Sequence, residues 1–240
     1  MPEKAKTAIP RDERLIVALD VPTAAEAKAL VGKLGDAVRF YKVGLELFSA
    51  AGYFELVEWL AGRGHRVFAD LKLYDIPETV GRAVANLRSC GAGFVTVHGH
   101  RSVMAAAARE KGAMKILAVT VLTSFGQGDL DEMGATKTLV QLVLDRARGA
   151  VETGCDGVIA SGLEAAKLKA EFRDRLLIVT PGIRPAGSKP ADDQKRTVDV
   201  AQAFANGADH IVVGRPIRQT ADPRAAALAI QQTIAKIFPS

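Results

Sequence analysis

The sequence lacks long apolar runs, contains few cysteines and aromatic residues, and has no dense cluster of basic residues. No stretch approaches the roughly 18 uncharged apolar residues of a membrane-spanning helix, so no association with a membrane is expected. The first twelve residues mix charges with proline and lack the apolar centre of a signal peptide. We therefore interpret residues 1–13 as a flexible leader.

The two cysteines, Cys90 and Cys155, lie far apart and fit no CxxC or metal-ligand spacing. Such cysteine usage is typical of a reduced, cytoplasmic protein without disulfides. A chain of 240 residues buries enough surface to fold without a disulfide or a metal. The sequence thus predicts a cytoplasmic protein with one domain over residues 14–238.

Aromatic residues make up only 5% of the chain, and its basic residues are dispersed. A nucleic-acid surface built on base stacking is therefore not expected. The net charge of +5 still favours an anionic ligand. A phosphorylated small molecule fits this composition better than a polymer.

Short runs rich in Val, Ile and Leu alternate with longer amphipathic, Ala-rich segments. The short runs predict strands at 15–20, 39–43, 66–72, 94–98, 116–122, 157–160, 176–180 and 210–213. The longer segments predict helices at 24–34, 53–63, 77–89, 103–111, 137–153, 163–172, 198–206 and 223–237. Residues 126–129 are predicted to form a loop.

Eight strand–helix units predict a closed (β/α)8 TIM barrel. An open, doubly wound sheet is the alternative, although no GxGxxG follows the first strand. In such barrels the functional groups lie at the carboxyl ends of the strands. The unusual polar residues of this sequence fall at those ends: Asp20, Lys42, Asp70, Lys72, Asp75, Thr123, Arg184 and Arg215.

Asp70 and Lys72 occupy alternate positions of the third predicted strand, so their side chains are expected on the same face. Lys42, on the neighbouring strand, is expected to join them. Alternating charges keep such groups ionised even when they are partly buried. A salt-bridge network at the rim of the barrel is the other interpretation.

Segments 180–184 and 213–216 combine glycine with arginine after the seventh and eighth strands. Barrels commonly bind phosphate at these two loops, and arginine offers two parallel donors to phosphate oxygens. A glycine-rich turn with a solvated arginine is the alternative for each segment. Two such turns at adjacent strands favour a phosphate site.

Residues 70–79 resemble the DxKxxDIPxT motif of the orotidine 5′-monophosphate decarboxylase family. Further motifs that resemble the bacterial type of this family follow one another in the expected order within residues 14–238. They are Leu-Asp-Val-Pro at 19–22, Tyr-Lys-Val-Gly at 41–44, Leu-Thr-Ser at 122–124, Thr-Pro-Gly-Ile-Arg at 180–184 and Val-Gly-Arg-Pro-Ile at 213–217.

The resemblance implies decarboxylation of orotidine 5′-monophosphate to UMP without metal or cofactor. Asp20 and Lys42 would hold the ribose hydroxyls, and Thr123 would contact the pyrimidine. Asp70 would lie against the substrate carboxylate, and Lys72 would stabilise and protonate the ring carbanion. Such a carbanion has no π-system to delocalise it, so electrostatic stabilisation is required.

The resemblance also implies a homodimer. Asp75, which belongs to the catalytic group, would reach with Ile76 and Thr79 into the partner subunit's site. The phosphate would be bound by residues of the last two loops, with the loop 185–196 closing over it: Pro181, Arg184, Gln194, Gly214 and Arg215.

Two other functions remain open. A sugar-phosphate decarboxylase or aldolase of the same superfamily would share the DxKxxD core but would need Mg²⁺. A catalytically inactive phosphate-binding barrel would keep the Gly-Arg turns alone. His98 and His100 lack a third ligand for a metal, and His65 and His210 fall at the strand starts, which are associated with stability.

Overall fold

The computed structural model describes residues 9–184 and 196–239, and in them eight parallel strands close into a barrel in chain order. The strands are β1 Leu15–Ala18, β2 Phe40–Gly44, β3 Arg66–Leu73, β4 Phe94–His98, β5 Lys115–Val119, β6 Gly157–Ile159, β7 Leu177–Thr180 and β8 His210–Val213. Strand β8 pairs with β1, which closes the barrel. The predicted (β/α)8 fold is therefore confirmed.

Helices cover the outside of the barrel, with at least one after every strand. They are α1 Ala24–Leu34, α2 Leu45–Phe48, α3 Tyr53–Gly62, α4 Pro77–Ser89, α5 Arg101–Glu110, α6 Gln127–Glu132, α7 Leu139–Thr153, α8 Ala165–Phe172, α9 Val200–Ala205, α10 Arg215–Arg218 and α11 Pro223–Ile237. No helix in the described ranges combines the length and the apolar character needed to cross a bilayer.

Local signals in the sequence set the ends of the longest helices. The Thr138 hydroxyl accepts a hydrogen bond from the Gln141 N–H at the start of α7 (3.3 Å), and Gln141 Oε1 accepts one from the Thr138 N–H (2.9 Å). The same helix ends at Gly154, whose φ of 83° lies in the left-handed region that glycine adopts without strain. Asp222 caps α11 through the N–H of Ala225 (2.9 Å).

Several predicted boundaries were wrong. The prediction at 15–20 extends two residues too far, because the N–H of Val21 bonds the carbonyl of Leu19 in a tight turn (3.0 Å). The strand predicted at 116–122 ends at Val119. The loop predicted at 126–129 begins helix α6, where the Gly126 N–H donates to the Asp129 carboxylate (2.6 Å).

Residues near the amino terminus of the described chain contact the start of the barrel. Residues 11–13 form a single 3-10 turn. Asp12 forms an ion pair with Arg39 (2.9 Å), and Glu13 forms one with Arg66. The predicted leader lies mostly in residues 1–8, outside the described residues, so its boundary stays a prediction.

The apolar core forms two separate clusters. The larger lies between the strands and the surrounding helices. The smaller fills the inside of the barrel and consists of Ile16, Ala18, Phe40, Phe68, Phe94, Leu117, Val119, Ile159, Leu177, Val179 and Val212. The barrel interior is therefore a packed core that forms a floor beneath the carboxyl ends of the strands.

Candidate active site

The aromatic part of the barrel floor comes from three strands in sequence, at Phe40, Phe68 and Phe94. Two residues further along a strand the side chain faces the same way. On these three strands the next inward positions are Lys42, Asp70 and Thr96. The strand period thus places polar side chains directly above an apolar layer that excludes water.

Four charged side chains of alternating sign meet above this floor. Lys42 Nζ lies 2.9 Å from Asp20 Oδ1 and 3.5 Å from Asp70 Oδ2. Lys72 Nζ lies 3.0 Å from the same Oδ2 of Asp70. We call Asp20, Lys42, Asp70 and Lys72 the charged cluster; the structure brings all four together, as the sequence predicts.

Burial and alternation act in opposite directions on the pKa values in the charged cluster. Burial acts to raise the pKa of Asp70, but the charges of Lys42 and Lys72 outweigh it and hold that pKa below its ordinary value. Burial acts to lower the pKa of Lys42, and the carboxylates of Asp70 and Asp20 outweigh it, so that pKa is raised. Both groups are therefore charged at neutral pH.

The sequence analysis expected Asp70 and Lys72 on the same face because of the regular alternation of a strand. The two side chains do meet, but β3 is irregular between them, so that geometric reason was wrong. Ala69 pairs with Val95 and Leu73 with Val97, so β3 holds two more residues than β4 across this interval. Lys72 itself has a φ of 49°, which is rare for residues other than glycine. A bulge, rather than the pleat, directs its ammonium to Asp70.

Thr96, on β4, bonds both Asp70 and Lys72 across this bulge. The sequence analysis did not identify it as a site residue. Its hydroxyl donates to Asp70 Oδ1 (2.9 Å) and accepts from the backbone N–H of Lys72 (2.9 Å). The threonine is fully buried. Its inward position two residues after Phe94 is the signal that could have identified it.

A cavity of about 480 Å³ opens above the charged cluster. Nine of the residues predicted for the site line it: Asp20, Lys42, Asp70, Lys72, Thr123, Pro181, Arg184, Gly214 and Arg215. One side of the cavity carries the alternating charges of the charged cluster, and the other carries the basic side chains of Arg184 and Arg215. Such an arrangement can take a ligand with a phosphate at one end and a reacting group at the other.

Two further polar residues line the cavity and were missed by the sequence analysis. Ser124 follows Thr123 in the loop after β5, and Arg218 lies on α10, one turn after Arg215. The spacing of three residues between the arginines on one short helix is the signal that was available. Arg218 adds a third cation to the basic side of the cavity.

Asp75, Ile76 and Thr79 do not line the cavity of their own chain. The side chain of Ile76 is 66% exposed, and Tyr74 beside it is 60% exposed. Asp75 Oδ1 accepts a hydrogen bond from the adjacent N–H of Ile76 (2.6 Å). The structure therefore places this part of the predicted site on the surface of the chain.

The predicted closing loop lies largely outside the described residues, and so does Gln194. Arg196, at the end of that loop, is buried. Its guanidinium lies 2.8 Å from Glu164 Oε2 and donates to the carbonyl of Leu122 (2.9 Å). Arg196 therefore ties the chain after the loop to the segment that carries Thr123.

The histidines do not form a metal site. The rings of His98 and His100 both pack against Tyr74 in tilted orientations, with ring centroids 4.9 and 5.0 Å away. Burial, followed by the charge of Arg146, lowers the pKa of His98. Within residues 9–184 and 196–239 no three His, Cys, Asp or Glu side chains are arranged to hold a metal ion.

Comparison with known proteins agrees with this geometry. Residues 13–230 match the Orotidine 5′-phosphate decarboxylase / HUMPS family. The chain is 57% identical over 230 residues to the orotidine 5′-phosphate decarboxylase of Methylococcus capsulatus, covering 96% of this chain and 95% of that one. It is 53% identical over 226 residues to the protein of that name from Stenotrophomonas maltophilia, covering 93% of each.

Solved structures give the same result. The crystal structure of orotidine 5′-phosphate decarboxylase from Lactobacillus acidophilus superposes with a TM-score of 0.82 at 36% identity, covering 92% of this chain and 99% of that one. The protein of that name from Pyrococcus horikoshii superposes with a TM-score of 0.74 at 27% identity, covering 92% and 98%. The chain belongs to the orotidine 5′-phosphate decarboxylase / HUMPS family.

Proposed function

We propose that this protein decarboxylates orotidine 5′-monophosphate to UMP and CO2, the last step of de novo UMP synthesis, without a metal or organic cofactor. The observation that carries the proposal is the charged cluster, Asp20–Lys42–Asp70–Lys72, in one cavity with Arg184 and Arg215. The names of relatives that cover nearly the whole chain support the substrate.

The substrate lies with its phosphate at the basic side of the cavity and its pyrimidine over the charged cluster. Arg184, Arg215 and the backbone near Gly214 and Pro181 bind the phosphate, together with Gln194 of the loop. Asp20 and Lys42 bind the ribose hydroxyls, and Thr123 contacts the pyrimidine. Binding of the distant phosphate supplies energy that organises the reacting end.

The reaction breaks the bond between the ring carbon and its carboxylate, releases CO2 and leaves the electron pair on that carbon. The Lys72 ammonium stabilises the developing negative charge and then donates a proton to form the new C–H bond. Lys72 regains a proton from solvent. Asp70, beside the leaving carboxylate, disfavours the bound ground state by like-charge repulsion.

The second part of the proposal is a homodimer in which Asp75, Ile76 and Thr79 complete the partner subunit's site. The exposure of Asp75 and Ile76 on this chain, beside an exposed Tyr74, supports such an exchange. Mixing Lys72→Ala subunits with Asp75→Asn subunits tests it, because one site per mixed dimer then has both wild-type residues. Recovery of activity on mixing is expected; two inactive variants that stay inactive after subunit exchange would contradict it.

We also propose that the protein is cytoplasmic, where the free thiols Cys90 and Cys155 stay reduced.

The competing activity is that of a Mg²⁺-dependent sugar-phosphate enzyme, since the matched family includes the HUMPS branch. Relatives at 52–57% identity carry the name of the nucleotide enzyme, orotidine 5′-phosphate decarboxylase. Sensitivity to a chelator separates the two reactions.

The experiment is an ultraviolet assay of the purified protein with orotidine 5′-monophosphate in the presence of EDTA. Loss of the orotate absorbance, with UMP and CO2 identified as products, is the expected result. A folded dimer that leaves the absorbance unchanged, but acts on sugar phosphates when Mg²⁺ is restored, would overturn the proposal.

A further inference from the structure

The bulge in β3 creates a problem that the sequence of β3 alone does not solve. Lys72 stands at a φ of 49°, in a backbone conformation that side chains other than glycine rarely adopt. Its N–H lies where the pairing of β3 with β4 is interrupted, between Ala69 and Leu73. A buried N–H without an acceptor is costly, so the bulge needs a partner from outside the ladder.

Thr96 supplies that partner from β4. Its hydroxyl oxygen accepts from the Lys72 N–H at 2.9 Å, and its proton goes to Asp70 Oδ1 at 2.9 Å. One hydroxyl therefore binds the backbone of one charged residue and the side chain of the other. Because it accepts from the first and donates to the second, its hydrogen-bonding direction is fixed.

The oxygens of Asp70 are divided between these partners. Oδ2 faces Lys42 at 3.5 Å and Lys72 at 3.0 Å, whereas Oδ1 faces Thr96. The carboxylate is thus held at both oxygens, in a plane set by Thr96. Rotation about its χ2 angle would break the bond to Thr96 and move Oδ2 away from the lysines.

We propose that Thr96 is a positioning residue for the decarboxylation, which fixes the separation and orientation of Asp70 and Lys72 without touching the substrate. This inference rests on the function proposed above. Small displacements of catalytic groups have large effects on rate, since the electrostatic stabilisation depends on groups held in place before the reaction. The binding of the phosphate and ribose lies outside the reach of this hydroxyl.

The test compares Thr96→Val, which keeps the shape but removes both hydrogen bonds, with Thr96→Ser, which keeps them. Thr120→Val is the matched control, because Thr120 is equally buried just after the neighbouring strand β5 and, among the described residues, its hydroxyl bonds only the Ile159 carbonyl (2.8 Å). For each variant, kcat is measured per folded site, together with the affinity for UMP and the melting temperature.

Thr96→Val is expected to lower kcat by about tenfold or more while UMP affinity changes by less than about threefold. Thr96→Ser is expected to restore most of the turnover, and Thr120→Val to lower the melting temperature without lowering kcat. If Thr96→Val does not fold, Thr96→Cys, which retains only a weak donor, replaces it in the comparison.

A Thr96→Val enzyme with the wild-type kcat overturns the inference, and so does an equal loss of kcat in Thr96→Ser or Thr120→Val. Failure of the proposed function is a separate result, because it is seen in the unaltered protein as an absence of UMP formation.

Discussion

Ionisable groups are buried at both ends of the barrel interior, but their pKa values favour the neutral form at one end and the charged form at the other. At the amino-terminal end His210 packs edge-on against Phe40 and Phe94, and burial lowers its pKa to about 4. At the carboxyl end Asp70 is largely buried, with 13% of its side chain exposed, but its pKa moves in the direction that keeps it charged.

The difference lies in the neighbours. The Nδ1 of His210 lies 2.9 Å from the backbone carbonyl of Glu13, which favours its protonation together with the charge of Asp209; burial outweighs both, and Arg66 and Arg14 disfavour protonation further. Asp70 has two ammonium groups within 3.5 Å. Burial alone therefore removes a charge, whereas burial among charges of opposite sign retains it. The first arrangement serves stability, and the second serves chemistry.

The largest effect is expected from removing one charge of the cluster. Lys72→Ala should lower turnover by about 10³-fold or more, because the carbanion loses both its counter-charge and its proton donor. Lys137→Ala is the control, since Lys137 forms an equally short ion pair with Asp145 (2.9 Å) on the surface. Near-normal turnover in folded Lys72→Ala would remove the mechanism.

The buried ion pair of Arg196 and Glu164 lies outside the charged cluster. It tests whether a buried charge destabilises the fold when its partner is removed. Arg196→Met leaves the Glu164 carboxylate buried without its partner at 2.8 Å, and should reduce the free energy of unfolding by about 3 kcal/mol. Urea unfolding measures this loss. The double variant with Glu164→Gln should be more stable than Arg196→Met; a further loss would contradict the explanation.

The amino-terminal end should make stability depend on pH. The folded pKa of His210 is about 4 and its ordinary value is 6.5, so the unfolded chain binds the proton more readily. Stability should therefore be full above about pH 6.5 and fall as the pH drops towards 4, by roughly 1 kcal/mol between pH 7.5 and 5.5. His210→Gln should flatten this dependence, and an unchanged pH dependence in that variant would contradict the assignment to His210.

The smallest effect concerns two buried threonines. The Thr180 hydroxyl has no hydrogen-bond partner within the described residues, whereas that of Thr120 donates to Ile159. Thr180→Val should leave the free energy of unfolding unchanged or raise it, while Thr120→Val should lower it by about 1 kcal/mol. Thermal unfolding of the pair checks this; an equal loss in both variants would contradict the assignment of their partners.

The sequence predicts the barrel because strand and helix periods alternate eight times, and it predicts the charged cluster because Asp20, Lys42 and Asp70 stand at strand ends. It does not predict the bulge at Lys72, since no glycine marks the positive φ there. The bulge depends on Thr96 from the next strand, a tertiary contact that local propensity does not encode.

The short helices were missed for a related reason. Helices α2 and α10 contain four residues each, too few for a hydrophobic period to show, and α6 buries only Leu130, so it has no apolar period. Helix α10 nevertheless carries Arg215 and Arg218 into the cavity. The residues of the charged cluster could be read from the sequence, whereas the backbone that aims them could not.

The charged cluster depends most directly on Asp70 remaining ionised while largely buried. A ¹³C NMR titration of the aspartate carboxyl carbons, with Asp70→Asn for assignment, measures this in the intact protein. We expect the Asp70 signal to stay that of a carboxylate at every pH above the ordinary aspartate value of 3.8. Protonation of Asp70 above that pH would contradict the claim that alternating charges overcome burial at this end of the barrel.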